Sequence, residues 1–347
     1  MTTASQPAIS IIIPVYRGGD KFERSYLSAI AALSPGDELI IVIDGDPAGT
    51  PLPKASNYLR IYQTPTRSGP AAARNLGAKY ASGDVLFFVD ADVAIPQTAL
   101  AAIRDVFSQN PEISALIGSY DDAPSEKNFL SQYRNLLHHF VHQNASADAS
   151  TFWGACGAVQ KDVFLQSGGF DETLYDQPAI EDIEFGYRLK AAGYRIRLEK
   201  TLQVKHLKRW TATSIITTDL FQRAVPWTEL ILQNNHLLND LNTDSKSRIS
   251  IVLSFLLIIF GLLSFALPML SILAGSVAAL LLLINQKVYR FFRQKRGFWF
   301  ALRVVPWHWL YFLISGTGFA IGLLKHLSKK KKKVTAPATL RLRSGSG

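Results

Sequence analysis

Asp90-Ala91-Asp92 directly follows the apolar run Val85-Leu86-Phe87-Phe88-Val89, which reads as a buried strand. Two carboxylates one residue apart, delivered by a strand to a sheet edge, suit a hard divalent cation that itself holds a diphosphate. A metal-bound nucleotide is the ligand this spacing points to. Asp-x-Asp also occurs in ordinary strand-to-loop turns, where Asp side chains bond their own backbone, so the tripeptide alone leaves both readings open. Asp44 closes a second apolar run, Ile41-Val42-Ile43, and Glu181-Asp182 opens a stretch with helical periodicity. Acids at a helix start also satisfy the helix dipole without any chemistry.

The elements that would carry these side chains alternate along the chain. Ile9–Val15, 39–43 and Val85–Val89 are continuous apolar runs rich in β-branched residues, the composition of strands buried on both faces. Helical stretches at 22–33 and 71–80 lie between them. This rhythm predicts an α/β fold, a mostly parallel sheet flanked by helices. In such sheets the ligand crevice lies at the carboxyl ends of the strands, where Asp44 and Asp90 both fall. Further on, 151–159 is strand-like, Gly168-Gly169 marks a turn, and 181–192 reads as an amphipathic helix ending at Gly193.

The formal charge of +10 is unevenly placed. Residues 1–248 hold 23 Lys and Arg against all 27 Asp and Glu, whereas 287–303 carries six basic residues, 325–343 carries eight, and neither block contains an acid. A nucleic-acid partner therefore loses its support, and the basic blocks instead flank apolar segments, as an anionic membrane surface favours. The uncharged stretch 249–267 would extend roughly 28 Å as a helix. Pro268 separates it from 269–285, about 25 Å by the same rise, and the pair reads as a transmembrane hairpin. In 287–303 basic residues interleave with Tyr289, Phe291, Phe292, Phe298, Trp299 and Phe300, the composition of a helix lying in the interface. A third apolar segment, 304–324, could cross the bilayer or re-enter it. The tail beyond 328 fits contact with anionic lipid or a solvated end. Cys156 is the single cysteine, which excludes an intrachain disulfide and fits a reducing compartment. With no secretory signal read at the start, the N-terminal domain is expected in the cytoplasm.

Taken in order, Ile11-Ile12-Ile13-Pro14-Val15-Tyr16, Ile41-Val42-Ile43-Asp44-Gly45, Gly69-Pro70-Ala71-Ala72-Ala73-Arg74-Asn75-Leu76-Gly77, Asp90-Ala91-Asp92, Gly168-Gly169-Phe170-Asp171-Glu172 and Glu181-Asp182 form a series. The series resembles the family 2 glycosyltransferases over about residues 8–210. The resemblance implies a GT-A fold, a nucleotide diphosphate sugar as donor, and inversion at the anomeric carbon. It implies Asp44 at the nucleotide base or ribose, Asp92 on Mg²⁺ or Mn²⁺ bridging the diphosphate, and Asp90 supporting the nucleotide. It also makes Asp182 the general base for the acceptor hydroxyl and lets His206 complete the metal site. His206 could equally be a lone histidine packed on a sheet edge.

Arg74 and Glu181 are counted with the nucleotide-sugar site. Arg74 has the alternative of pairing with Asp84 or Asp90, Asn75 that of satisfying a backbone group of its own helix, and Arg67 is a lesser candidate of the same kind. His138, His139 and His142 have no acidic cluster nearby in sequence and read as solvated or near the acceptor. Gln222-Arg223 and Trp227 depart from the Gln-x-x-Arg-Trp motif of processive members, which counts against polymer synthesis. They could close over the diphosphate, meet the acceptor, or anchor the chain at the membrane surface.

These readings combine into a catalytic domain at 1–210, interfacial connecting helices at 211–248, a transmembrane hairpin at 249–285, an amphipathic and a third apolar segment at 286–328, and a basic tail at 329–347. The expected activity is metal-dependent transfer of one sugar to a lipid or lipid-linked acceptor, with polyprenyl phosphate among the candidates, at the cytoplasmic face. The rival is a catalytically inactive nucleotide-sugar-binding membrane scaffold. It predicts a missing site carboxylate, whereas Asp44, Asp90, Asp92 and Asp182 are all present.

Overall fold

The computed structural model describes residues 6–45, 48, 50–54, 56–174, 177–234 and 244–335. The chain divides into two compact units. One holds Met1–Ser214 with Asn285–Val305, the other Ile215–Leu237, Ser245–Ile284 and Pro306–Gly347. Positions 235–243 of the expected connecting segment and 336–347 of the basic tail lie outside the described residues.

In the first unit the apolar runs become β1 (Ile9–Val15), β2 (Glu38–Ile43) and β4 (Val85–Val89), separated by α1 (Asp20–Ala32), β3 (Leu59–Gln63) and α2 (Gly69–Tyr80). There follow β5 (Val93–Ala94), α3 (Ala99–Gln109), β6 (Ile113–Tyr120), α4 (Phe129–Asn144), β7 (Asp148–Ala149), β8 (Cys156–Gln160), α5 (Lys161–Gln166), α6 (Glu181–Ala191) and β9 (Arg195–His206). The strands form one sheet in the order β3-β2-β1-β4-β8-β6-β9-β5, with β7 also on β9. β3, β2, β1 and β4 are parallel, β8 opposes both β4 and β6, and β9 runs with β6. The sheet is thus mixed, with its parallel half as the sequence predicts.

Every residue of β2 and β4 is buried, because both faces of the sheet are covered. Ile11 and Ile13 pack with Phe22 and Ile103 on one face, while Ile12 and Val42 pack with Ala73, Phe152 and Phe185 on the other. The small residues of α2 let it lie close to the sheet: a Cβ on Gly77 would stand 2.6 Å from Ile12.

Two elements escape the sequence pattern. The stretch 151–159 is strand only from Cys156; before that it is a loop pressed onto α6, where a Cβ on Gly186 would stand 2.2 Å from the Phe152 amide nitrogen. α4 has no clean apolar stripe because Gln132, Asn135, His139 and His142 share its buried side with Leu136 and Leu137. His138 is half-buried and the other two histidines are not solvated. His139 and His142 are buried with Nδ1 on the carbonyls of Tyr120 and Gly118, at 2.7 and 3.0 Å. Burial lowers the His142 pKa to about 4, so it is neutral near pH 7.

Further along come α7 (Ala212–Thr217), a π-helical stretch over Thr218–Ala224, α8 (Val225–Asn234), α9 (Ser245–Leu263), α10 (Leu270–Ile284), α11 (Gln286–Arg296) and α12 (Phe298–Thr335). α9 and the Phe298–Ser328 part of α12 are long and apolar enough to cross a membrane; α10 and α11 would make a third span only together, and they are bent by 65°. α9 and α10 pack as a hairpin around Pro268. Within the second unit glycines bring α12 close to its neighbours: a Cβ on Gly318 would be 2.3 Å from that of Ala224, and one on Gly316 2.4 Å from Phe255. Small residues serve such close approach between membrane helices.

α11, expected in a separate interfacial segment, belongs to the first unit. Phe292 is fully buried beside Tyr133 of α4, Lys295 pairs with Asp122 at 2.5 Å, and Arg296 donates to Gln132 at 2.8 Å.

Gly186→Ala is expected to lower stability by about 1–3 kcal/mol, the usual cost of overpacking, because backbone rather than a movable side chain occupies the space. A lowered thermal unfolding midpoint of the detergent-purified chain is the readout.

Candidate active site

Asp44 and Asp90 stand at the carboxyl ends of β2 and β4. Asp44 is buried, and its Oδ1 accepts the Ser68 amide at 2.6 Å and the Thr64 hydroxyl at 3.1 Å, while Oδ2 accepts the Gly69 amide at 3.0 Å. It therefore ties the end of β2 to the start of α2 and satisfies amides that a helix N-terminus leaves without partners.

In the second turn of α2, Arg74 is buried and forks. Its Nη1 donates to Glu181 Oε1 and its Nη2 to Asp90 Oδ1, each at 2.7 Å. Gly154 makes room for it, since a Cβ there would lie 3.1 Å from the guanidinium carbon. Burial alone would lower the Arg74 pKa, but the charges of Asp90, Glu181 and Asp182 outweigh it and hold the group firmly protonated. Asp90 shifts upward: burial dominates, the nearby Asp92 and Glu181 add to it, and Arg74 only partly opposes them.

The peptide after Asp90 sends the second carboxylate elsewhere. Val93 pairs with His206 across β5 and β9, and the Leu207 amide donates to the Asp92 carbonyl at 2.8 Å, so Asp92 is registered beside His206. Asp92 Oδ2 lies 3.5 Å from His206 Nε2. The opposite ring nitrogen, Nδ1, is 2.7 Å from Asn135 Oδ1, and the imidazole stacks on Tyr120 with ring centres 4.4 Å apart. The Nδ1 contact to Asn135 fixes the ring so that Nε2 faces Asp92, the orientation that outer partners impose on metal-binding histidines. Burial opposes ionisation of Asp92, but His206, with Lys208 and Lys21, holds its carboxyl below the ordinary range.

Asp182 lies in the first turn of α6. Its Oδ2 accepts the Gly154 amide at 2.9 Å and its Oδ1 the Ile183 amide at 2.8 Å. Burial, reinforced by the adjacent Glu181, pushes its pKa up to about 6 against the pull of the Gly154 amide and Arg74.

The tripeptide does form a turn, with Val93 N–H donating to Asp90 O at 3.0 Å. Its carboxylates nevertheless reach across the fold, Asp90 to Arg74 and Asp92 to His206, which an ordinary Asx turn does not require. One tripeptide thereby joins an Arg74–Glu181–Asp182 cluster to an Asp92–His206–Asn135 cluster. Among the described residues no group of three or more His, Cys, Asp and Glu side chains is arranged to hold a metal alone. Asp92 and His206 are a donor pair that fits a divalent cation whose remaining ligands are substrate oxygens and water.

Other expectations resolve differently. Arg74 does not take Asp84, whose carboxylate accepts the Ala8 amide. Asn75 serves the Gly168-Gly169 turn rather than its own helix, exchanging hydrogen bonds with the Phe170 backbone at 2.8 and 2.9 Å. Arg67 lies over the Tyr16 ring at 4.3 Å and donates to Gln177. Gln222 and Arg223 fall in the π-helical stretch of the second unit, with Arg223 3.9 Å from the buried Asp219, and Trp227 opens α8. Asn135 and Gly154 were invisible in sequence: neither carries a charge, and their roles depend on β9 and α6 arriving from elsewhere in the chain.

The helix-covered mixed sheet with an acidic edge at its strand ends is of the GT-A type. Residues 10–167 match the family model described as Glycosyl transferase family 2. A mannosyltransferase from Pyrobaculum calidifontis, solved in complex with GDP-Man and Mn²⁺, shares the fold with a TM-score of 0.54 and 16% identity, over 94% of this chain and 88% of that one. An uncharacterized glycosyltransferase of Haemophilus influenzae is 33% identical over 112 residues, 30% of this chain and 44% of its own length. The poly-β-1,6-N-acetyl-D-glucosamine synthase of Staphylococcus aureus is 26% identical over 204 residues, 55% of this chain and 48% of that protein. The chain thus spans less than half the length of these two relatives.

Arg74→Ala leaves the buried Glu181 without its counter-charge and is expected to cost about 3–5 kcal/mol of stability. In the Glu181→Gln background the same change should cost clearly less, and a double-mutant cycle of unfolding midpoints checks it.

Proposed function

We propose that this chain is an inverting glycosyltransferase that moves a single sugar from a nucleotide diphosphate sugar to a lipid or lipid-linked acceptor at the cytoplasmic face of a membrane. The observation that carries the reading is the joined acidic edge, in which one strand end serves both Arg74 and His206.

Asp92 and His206 would hold Mg²⁺ or Mn²⁺, which when bound stabilises the charge developing on the departing diphosphate. Asp44, at the end of β2, would meet the base or ribose, and Asp90 would support the nucleotide. Arg74 and Glu181 are buried and bonded to each other, so they hold this surface in shape rather than contact the sugar. Asp182 accepts the proton of the acceptor hydroxyl as its oxygen bonds to the anomeric carbon, on the side opposite the leaving diphosphate. With a pKa of about 6 it is mostly ionised at neutral pH and still basic enough to take that proton. A polyprenyl phosphate would bring an oxygen that is already nucleophilic and would not need Asp182.

The lipid acceptor is supported by the helices long and apolar enough to cross a membrane. A transferase tied to a bilayer meets lipid acceptors at high effective concentration. Gln222, Arg223 and Trp227 are the proposed contacts to acceptor or diphosphate.

With a hydroxyl acceptor, kcat/KM should fall as pH drops through about 6, because protonation of Asp182 removes the base. Asp182→Asn should abolish that acid limb and lower turnover about 10²–10⁴-fold; retained turnover would assign the attack to a phosphate oxygen. Nucleoside diphosphate release by the purified chain, across a panel of nucleotide sugars with Mn²⁺, should require both the metal and a lipid extract containing polyprenyl phosphate. Metal-dependent nucleotide binding with no release from any donor would favour a binding scaffold over an enzyme.

A further inference from the structure

The sequence suggests that the whole aromatic-basic block 287–303 lies on a membrane by its aromatic side. The structure divides those aromatics. Phe292 is buried against Tyr133 and Phe300, each with ring centres 5.9 Å away, and Phe291 packs on Phe140 at 5.2 Å. The apolar side of α11 is therefore taken up by α4 and is not available to lipid.

Among the residues α11 leaves exposed, Lys287, Arg290 and Arg293 are spaced three apart and so share one side of the helix, whereas Lys295 and Arg296 bond Asp122 and Gln132. At Gly297, with φ +87°, the chain turns and presents Phe298, Trp299 and Leu302, which are 59%, 74% and 52% exposed. No Asp or Glu occurs anywhere after Asp244. α10, which ends at Ile284, joins the cationic edge through a single residue.

We propose that this cationic edge and the Phe298-Trp299 tip form a docking surface on the catalytic unit for an anionic phospholipid bilayer. The cations meet lipid phosphates, and the two aromatic rings enter the headgroup layer, where such rings are favoured. An acidic protein could satisfy the same charges. The exposed aromatic tip and the direct covalent link to an apolar helix favour the bilayer. The proposal does not depend on the transfer chemistry.

Cys156 is buried and its thiol pKa is raised by burial, so a Trp299→Cys chain can be labelled at one position with a polarity-sensitive fluorophore. The full-length labelled chain is placed in nanodiscs of phosphatidylcholine with or without phosphatidylglycerol, with headgroup-proximal nitroxide lipids as quenchers. A label at Leu165→Cys, an exposed residue of α5, serves as the aqueous reference and reports folding. Blue-shifted emission and quenching at 299, several-fold stronger with phosphatidylglycerol, are expected. Charge reversal at Lys287, Arg290 and Arg293 should remove that gain, as should 1 M salt, which shortens the screening length to about 3 Å. An unquenched label at 299, or equal quenching in both lipids that resists salt and charge reversal, would overturn the proposal.

Discussion

The site is organised around one buried guanidinium. Arg74 reaches from α2 to the end of β4 through Asp90 and to the start of α6 through Glu181, with two bonds of equal length. The consecutive elements α2 and β4 and the distant α6 meet at this one side chain. The geometry requires a fork: a planar guanidinium can serve two carboxylates in fixed directions, whereas an ammonium acts as a single point charge. Gly154 leaves the space, and the same glycine supplies the amide that orients Asp182. Asp90, Glu181 and Asp182 can crowd together because Arg74 offsets their repulsion.

That crowding explains why the acids of the site differ in character. Asp92 faces an imidazole and two lysines and stays low, while Asp182 is buried beside Glu181 and rises to about 6. One acid is thereby suited to a cation and the other to a proton. The separation follows from placement alone, since all are ordinary carboxylates on adjoining loops and helix starts.

Much of this was legible in the sequence where a residue's role is local. β1, β2, β4, α1, α2 and α6 were readable because a buried parallel strand must be apolar throughout, and a helix lying on it must carry small residues such as Ala71, Ala73 and Gly77. The buried side of α4 was hidden because it holds Asn135, His139 and His142, which satisfy polar groups on β6 and β9 instead of forming an apolar stripe. The Asn135 contact to His206 spans 71 residues, and the Arg74 contact to Glu181 spans 107. Such pairs have no signature until the strands are in place. For the same reason α11 looked like a free interfacial helix, although its buried face is complementary to α4.

In the proposed function, Asp92 and His206 hold a divalent cation that in turn holds a nucleoside diphosphate. This arrangement is tested most directly by electron paramagnetic resonance of Mn²⁺ titrated into the detergent-purified chain with and without UDP or GDP. Tighter Mn²⁺ binding when the nucleotide is present, nitrogen coupling from one imidazole, and loss of both in Asp92→Asn and His206→Gln variants are expected. Nucleotide-dependent Mn²⁺ binding that survives both substitutions unchanged would contradict the arrangement.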